Sequence, residues 1–136
     1  MTLAAYAALD AETDRRNDLR RAYLELRADG YLANEALKNA RILTTFDASP
    51  AQLMWEPSYE DYDCSYLDTW GLSDSEVRRL RSELYEQIDR DGIWILTSKI
   101  PCKCGSWKIV DSISGLIGQD GAGYEFCLMQ SALDAL

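Results

Sequence analysis

Two runs rich in β-branched and aromatic residues, Ile93 to Ile100 and Trp107 to Ile113, stand on either side of Pro101-Cys102-Lys103-Cys104-Gly105-Ser106. Such residues fit a pleated, half-buried surface, and a short glycine-containing connection folds one run back on the other. The pair predicts an antiparallel β-hairpin over 93–113. A hairpin needs other elements to bury its apolar face, so the remaining chain has to supply a layer that packs on it.

Helical periodicity supplies that layer. Leu19, Ala22, Tyr23 and Leu26 fall on one face of a helix expected over 12–28, which Ala28-Asp29-Gly30 ends. A second helix over 31–46 turns Ala33, Leu37, Ala40 and Leu43 inward, and the short connection makes the two an antiparallel hairpin. From Asp47 to Gly71 the periodicity disappears around Pro50 and Pro57, leaving an irregular segment with at most one short strand near Leu53 to Glu56. Ser73 and Glu76 have capping-box spacing ahead of the stripe Val77, Leu80, Leu84 and Ile88, and Gly92 stops a helix expected over 74–90. After a glycine-rich turn at 115–123, Phe126, Met129, Leu133 and Leu136 fit a short final helix.

These elements predict an α+β fold. A helical hairpin and a third helix pack on a small antiparallel sheet centred on 93–113, and a short C-terminal helix follows. With 136 residues, no internal repeat and no low-complexity stretch, the chain is expected to form one domain over 1–136.

Charge narrows the chemistry. The net charge of −9 opposes direct contact with nucleic-acid phosphates, where Lys or Arg must replace released counterions. The sequence contains no histidine, which removes the commonest general base and metal ligand and with them Ser-His-Asp, Cys-His and His-based zinc chemistry. No apolar stretch approaches the roughly 20 residues that span a bilayer, and Met1 to Asp10 lacks a secretory pattern. The expected setting is the cytoplasm of a bacterial host cell, with no membrane contact.

Between Arg41 and Arg78 there is no Lys or Arg, whereas Asp47, Glu56, Glu60, Asp61, Asp63, Asp68, Asp74 and Glu76 supply eight carboxylates. Trp55, Tyr59, Tyr62, Tyr66 and Trp70 are interleaved with them. Acids that steer and rings that give desolvated contact area suit an interface with a basic protein groove. Trp55, Tyr59, Tyr62 and Trp70 are the candidate anchors, and Glu56, Glu60, Asp61, Asp63 and Asp68 the candidate partners of Lys or Arg. The same rings would also serve as core cover, with the acids keeping a long loop in water. A third reading is mimicry of a nucleic-acid backbone by spaced carboxylates.

Cys102 and Cys104, with Cys64 and Cys127, are the candidate ligands of a four-thiolate zinc site, although a single residue between the first two departs from the usual zinc-knuckle gap. Free thiols with no cofactor are the preferred reading. Gly115, Gly118, Gly121 and Gly123 match neither the dinucleotide fingerprint nor the Walker loop. An enzyme here would have to work without histidine, for instance with Lys99 or Lys108 activating Ser112 or Ser114 beside Asp111.

Cys104-Gly105-Ser106-Trp107, followed by Asp111-Ser112 and a glycine-rich exit at 115–118, resembles a pattern in small uncharacterised proteins of phages and mobile elements. In type the chain is similar to anti-CRISPR and antirestriction proteins. That similarity implies inhibition by occupation of a basic surface on a nucleic-acid-handling protein, with no catalytic residues. A zinc-binding structural or regulatory module and a histidine-independent enzyme are the alternatives.

Overall fold

The computed structural model describes residues 2–59 and 70–136. In chain order these form α1 (Leu3–Ala28), α2 (Ala33–Asp47), β1 (Gln52–Pro57), α3 (Asp74–Asp91), β2 (Ile93–Pro101), β3 (Trp107–Ile117) and α4 (Tyr124–Ala135). The fold is α+β, with one three-stranded antiparallel sheet of order β1-β2-β3. Among the described residues no helix is long and apolar enough to cross a membrane.

Helix α1 begins well before the expected residue 12, at a cap where Thr2 Oγ1 accepts the Ala5 N–H at 3.2 Å. Its first turns bury nothing, so no apolar stripe marks them. Ala4, Ala5, Ala7, Ala8 and Ala11 make them helical through intrinsic propensity instead. At the other end Gly30 takes φ 102°, its N–H reaches Arg27 O, and the Tyr31 N–H reaches Leu26 O. This paired arrangement satisfies two terminal carbonyls and turns the chain into α2.

Helix α2 lies between α1 and α4, so it buries a broader face than one stripe. Ala36, Ala40, Ile42 and Phe46 are buried, whereas Ala33, expected inward, is exposed. Ala36 and Ala40 share the core with Ala132 of α4, and all three are fully inaccessible. Such small side chains let helix backbones approach closely. Tyr31 meets Phe126 edge to face, with ring centroids 6.1 Å apart.

Helix α4 touches all three strands and is the layer directly against the sheet, with the α1–α2 hairpin stacked behind it. Phe126, Leu128, Met129 and Ala132 are buried, while Leu136 lies beyond the helix end and is exposed. Helix α3 meets chiefly β3 and buries none of its residues fully. Its cap is the expected one, with Ser73 Oγ accepting the Glu76 N–H at 3.3 Å.

Strand β3 runs four residues past the expected end at Ile113. In the register Trp94 faces Leu116 and Leu96 faces Ile113, so β3 carries an extra residue there, and Gly115 lies in that stretch with φ 77°. A glycine with positive φ accommodates a bulge and lets pairing continue where turn chemistry alone suggests an exit. Gly92 joins α3 to the sheet: its N–H donates to Ile88 O at 2.7 Å, and its carbonyl accepts from Gly118 N at 2.9 Å.

Candidate functional site

The acidic and aromatic segment begins in the strand at the edge of the sheet. β1 is an edge strand whose last pair is Pro57 with Trp94, and the Ser58 N–H extends the ladder by donating to Ile93 O at 2.8 Å. Trp55 is half-buried within this strand, opposite Leu96, while the neighbouring Glu56 is exposed. Beyond the ladder Tyr59 is 93% exposed, and so is Trp70 at the far side of the segment. Gly71, with φ 77°, then leads into the Ser73 cap of α3, where Asp74 and Glu76 stand exposed in the first turn.

Glu60, Asp61, Tyr62, Asp63, Cys64, Tyr66 and Asp68 lie outside the described residues. The expected contact surface is thus represented by its two ends. Both ends present a large aromatic ring to solvent, beside Glu56 on one side and beside Asp74 and Glu76 on the other.

The charge distribution isolates this segment. Outside the eight carboxylates between Arg41 and Arg78, the chain has 15 acidic residues against 14 Lys and Arg, so the segment accounts for nearly all of the net −9. On the helices acids and bases neutralise each other locally, as in Glu12–Arg16 and Asp18–Arg21, both 2.6 Å apart. No such cation is available within the acidic run itself.

The opposite sign gathers on the β2–β3 hairpin. From Gly92 to Val110 there is no carboxylate, whereas Lys99, Lys103 and Lys108 are present. Lys99 Nζ sits 4.9 Å from the centre of the Trp107 ring and donates to Met54 Sδ at 3.7 Å. It is held in the sheet by a cation–π contact. Asp111 accepts the Ser112 N–H at 2.9 Å and the Ser131 hydroxyl of α4 at 3.2 Å. The carboxylate ties β3 to α4.

Of the four candidate thiols Cys64 lies outside the described residues, and the other three separate into a pair at one turn and a single residue on α4. Cys102 and Cys104 are exposed at the hairpin turn, where the Cys102 N–H donates to Ser106 O at 2.7 Å and the Gly105 N–H donates to Cys102 O at 3.0 Å. Cys127 is exposed on α4, and among the described residues no three Cys, Asp or Glu side chains come together as a metal site. Hydrogen bonds from the Ser106 side chain, then the Cys102 thiol and the Ser106 backbone, stabilise the Cys104 thiolate and lower its pKa from 9.0 to about 7. The Cys104 Sγ to Ser106 Oγ distance is 2.9 Å. Ser106 carries no signal in the sequence beyond its place in a turn, so its effect on Cys104 was not legible there.

Open grooves flank α1. One, lined by Arg16, Leu19, Arg20, Tyr23 and Leu37, is largely apolar, and another lies among Arg15, Leu19, Arg41 and Leu133. Compared with known proteins, the chain matches no family model, no curated protein and no solved structure.

Proposed function

We propose that the protein acts by binding, with the segment 55–70 docking on a basic surface of a nucleic-acid-handling protein and occupying it. The observation that carries this reading is the pair of almost fully exposed rings, Tyr59 and Trp70, at the two ends of a run that holds Glu60, Asp61, Asp63 and Asp68 and no cation. An aromatic side chain exposed to this degree leaves its apolar area in water, and interfaces are enriched in such rings near their centres. The carboxylates set the sign of the partner. Glu56, Glu60, Asp61, Asp63 and Asp68 meet its Lys and Arg, and Tyr59, Tyr62 and Trp70 fill its desolvated centre. Trp55 contributes from the sheet edge. Its half-buried position also allows it to act as core cover.

The test compares the wild-type chain with the Glu60→Lys, Asp61→Lys, Asp63→Lys variant as immobilised baits in bacterial lysate, with captured proteins identified by mass spectrometry. The expected result is a nucleic-acid-binding protein retained by the wild type, released by salt or by added DNA, and held at least about tenfold more weakly by the variant. Equal retention by a variant with an unchanged circular dichroism spectrum would sink the reading.

A further inference from the structure

Helix α1 outreaches α2, and its N-terminal half carries large apolar side chains that its own chain leaves in water: Leu3 is 88%, Tyr6 55% and Leu9 48% exposed. A helical stretch this short is marginal by itself and draws its stability from packing an apolar face. Tyr6, Leu9, Thr13, Arg16, Arg20 and Tyr23 follow one another at alternating steps of three and four, the spacing of a seam between paired helices. The C-terminal half of that seam borders the largely apolar groove, where Leu19, Tyr23 and Leu37 stand beside Arg16 and Arg20.

Charge is divided along the same helix. Residues 2–14 hold Asp10, Glu12 and Asp14 and no Lys or Arg, a charge of −3, whereas residues 15–28 hold five arginines against Asp18 and Glu25, a charge of +3. The helix dipole does not account for this division, because its influence falls off within the terminal turn and α1 has no acid in its first turn. Pairing within the helix accounts for only part of it. Glu12 meets Arg16 and Asp18 meets Arg21, but among the described residues Asp10, Asp14, Arg15 and Arg20 take part in no ion pair.

We propose that two copies of this chain associate through antiparallel α1 helices, each laying Tyr6 and Leu9 into the groove of Leu19, Tyr23 and Leu37 on the other. Antiparallel pairing sets the acidic half of each helix against the basic half of its counterpart, twice in one twofold-symmetric interface, whereas parallel pairing sets like charges side by side. Asp10 and Asp14 find their missing partners in Arg15 and Arg20 of the second copy. The aliphatic stems of Arg16 and Arg20 line the apolar contact while their charged heads stay at its margin. This surface is separate from the segment 55–70, so the failure of either reading leaves the other standing.

The experiment is sedimentation velocity on the full chain over a dilution series. A dimer that dissociates on dilution is expected, with a Kd of about 100 µM or tighter. The Tyr6→Ala, Leu9→Ala variant, which keeps helix propensity, should dimerise at least about tenfold more weakly. The Asp10→Arg, Asp14→Arg chain and the Arg15→Glu, Arg20→Glu chain should each lose the dimer alone and recover it when mixed with the other. All six positions are exposed, and an unchanged circular dichroism spectrum checks that each variant is folded. A wild-type chain that stays monomeric at that concentration overturns the proposal. So does a dimer that every variant retains, a failure of the charge-reversed chains to recover on mixing, or a monomer whose Tyr6 and Leu9 carry it onto phosphatidylcholine vesicles instead.

Discussion

Two single residues set properties that their neighbours cannot. At Cys104 the hydroxyl of Ser106 is the largest stabiliser of the thiolate, ahead of the Cys102 thiol. Because the folded pKa is lowered, the reactive form is populated from about pH 7 upward instead of from the ordinary 9.0. Peptide-resolved alkylation with iodoacetamide should therefore show a rate at Cys104 that rises to its plateau through a midpoint near 7, and Ser106→Ala should shift that midpoint upward. A midpoint unaffected by Ser106→Ala would show that the hydroxyl has no such part. The second residue is Gly92, with φ 75° and ψ 171°, a region that only glycine occupies readily. A Cβ there would also stand 3.3 Å from Trp94 Nε1, the atom that donates to Asp91 O. Gly92→Ala should lower stability by about 1–3 kcal/mol, read as a lower urea midpoint at unchanged m-value. The position of Gly92 as a helix stop was legible in the sequence. Its second task, accepting from Gly118 across to the end of β3, depends on a pairing between distant residues that local patterns do not encode.

Elements were readable in proportion to how one-sided their burial is. Helix α3 and the β2–β3 hairpin were legible because Ser73, Gly92 and the β-branched runs are strong local signals. The start of α1 was not, since periodicity reports packing and its first half buries no residue fully. At about 1.5 Å per residue, the 26 residues of α1 extend roughly 15 Å beyond the 15 of α2. Residues Leu3, Tyr6 and Leu9 on this overhang are 88%, 55% and 48% exposed. Deleting residues 2–10 should leave the unfolding free energy of the monomer, from urea denaturation, within about 0.5 kcal/mol of the full chain, as expected for surface residues outside the core. A larger loss of stability would mean that the overhang is packed within the monomer. Helix α2 misled in the other direction: flanked by α1 and α4, it buries two sides, and a single-stripe reading placed Ala33 inward when it is exposed.

At the scale of the molecule the two charged regions behave differently. The helices and hairpin nearly balance, so the net field of the molecule comes chiefly from the acidic segment. Its composition, and therefore the sign of its charge, was fully legible. Which of its rings are solvent-facing was legible only from the fold, because Trp55 alternates into a strand opposite Leu96 while Tyr59 and Trp70 do not lie in strands. The zinc reading needs distant cysteines to come together, which spacing along the chain does not determine, and Cys64 lies outside the described residues.

The pairing of Pro57 with Trp94 has a further consequence for how this chain can change over time. It closes a ring of residues whose ends are held by the ladder, and the free energy of closing such a ring grows only with the logarithm of its length, about 0.6 kcal/mol for each doubling. Lengthening or shortening the stretch that begins at Tyr59 therefore changes the closure cost of this ladder only slightly. Ahead of α3 the chain can therefore gain or lose residues at a cost small beside the stability of a domain.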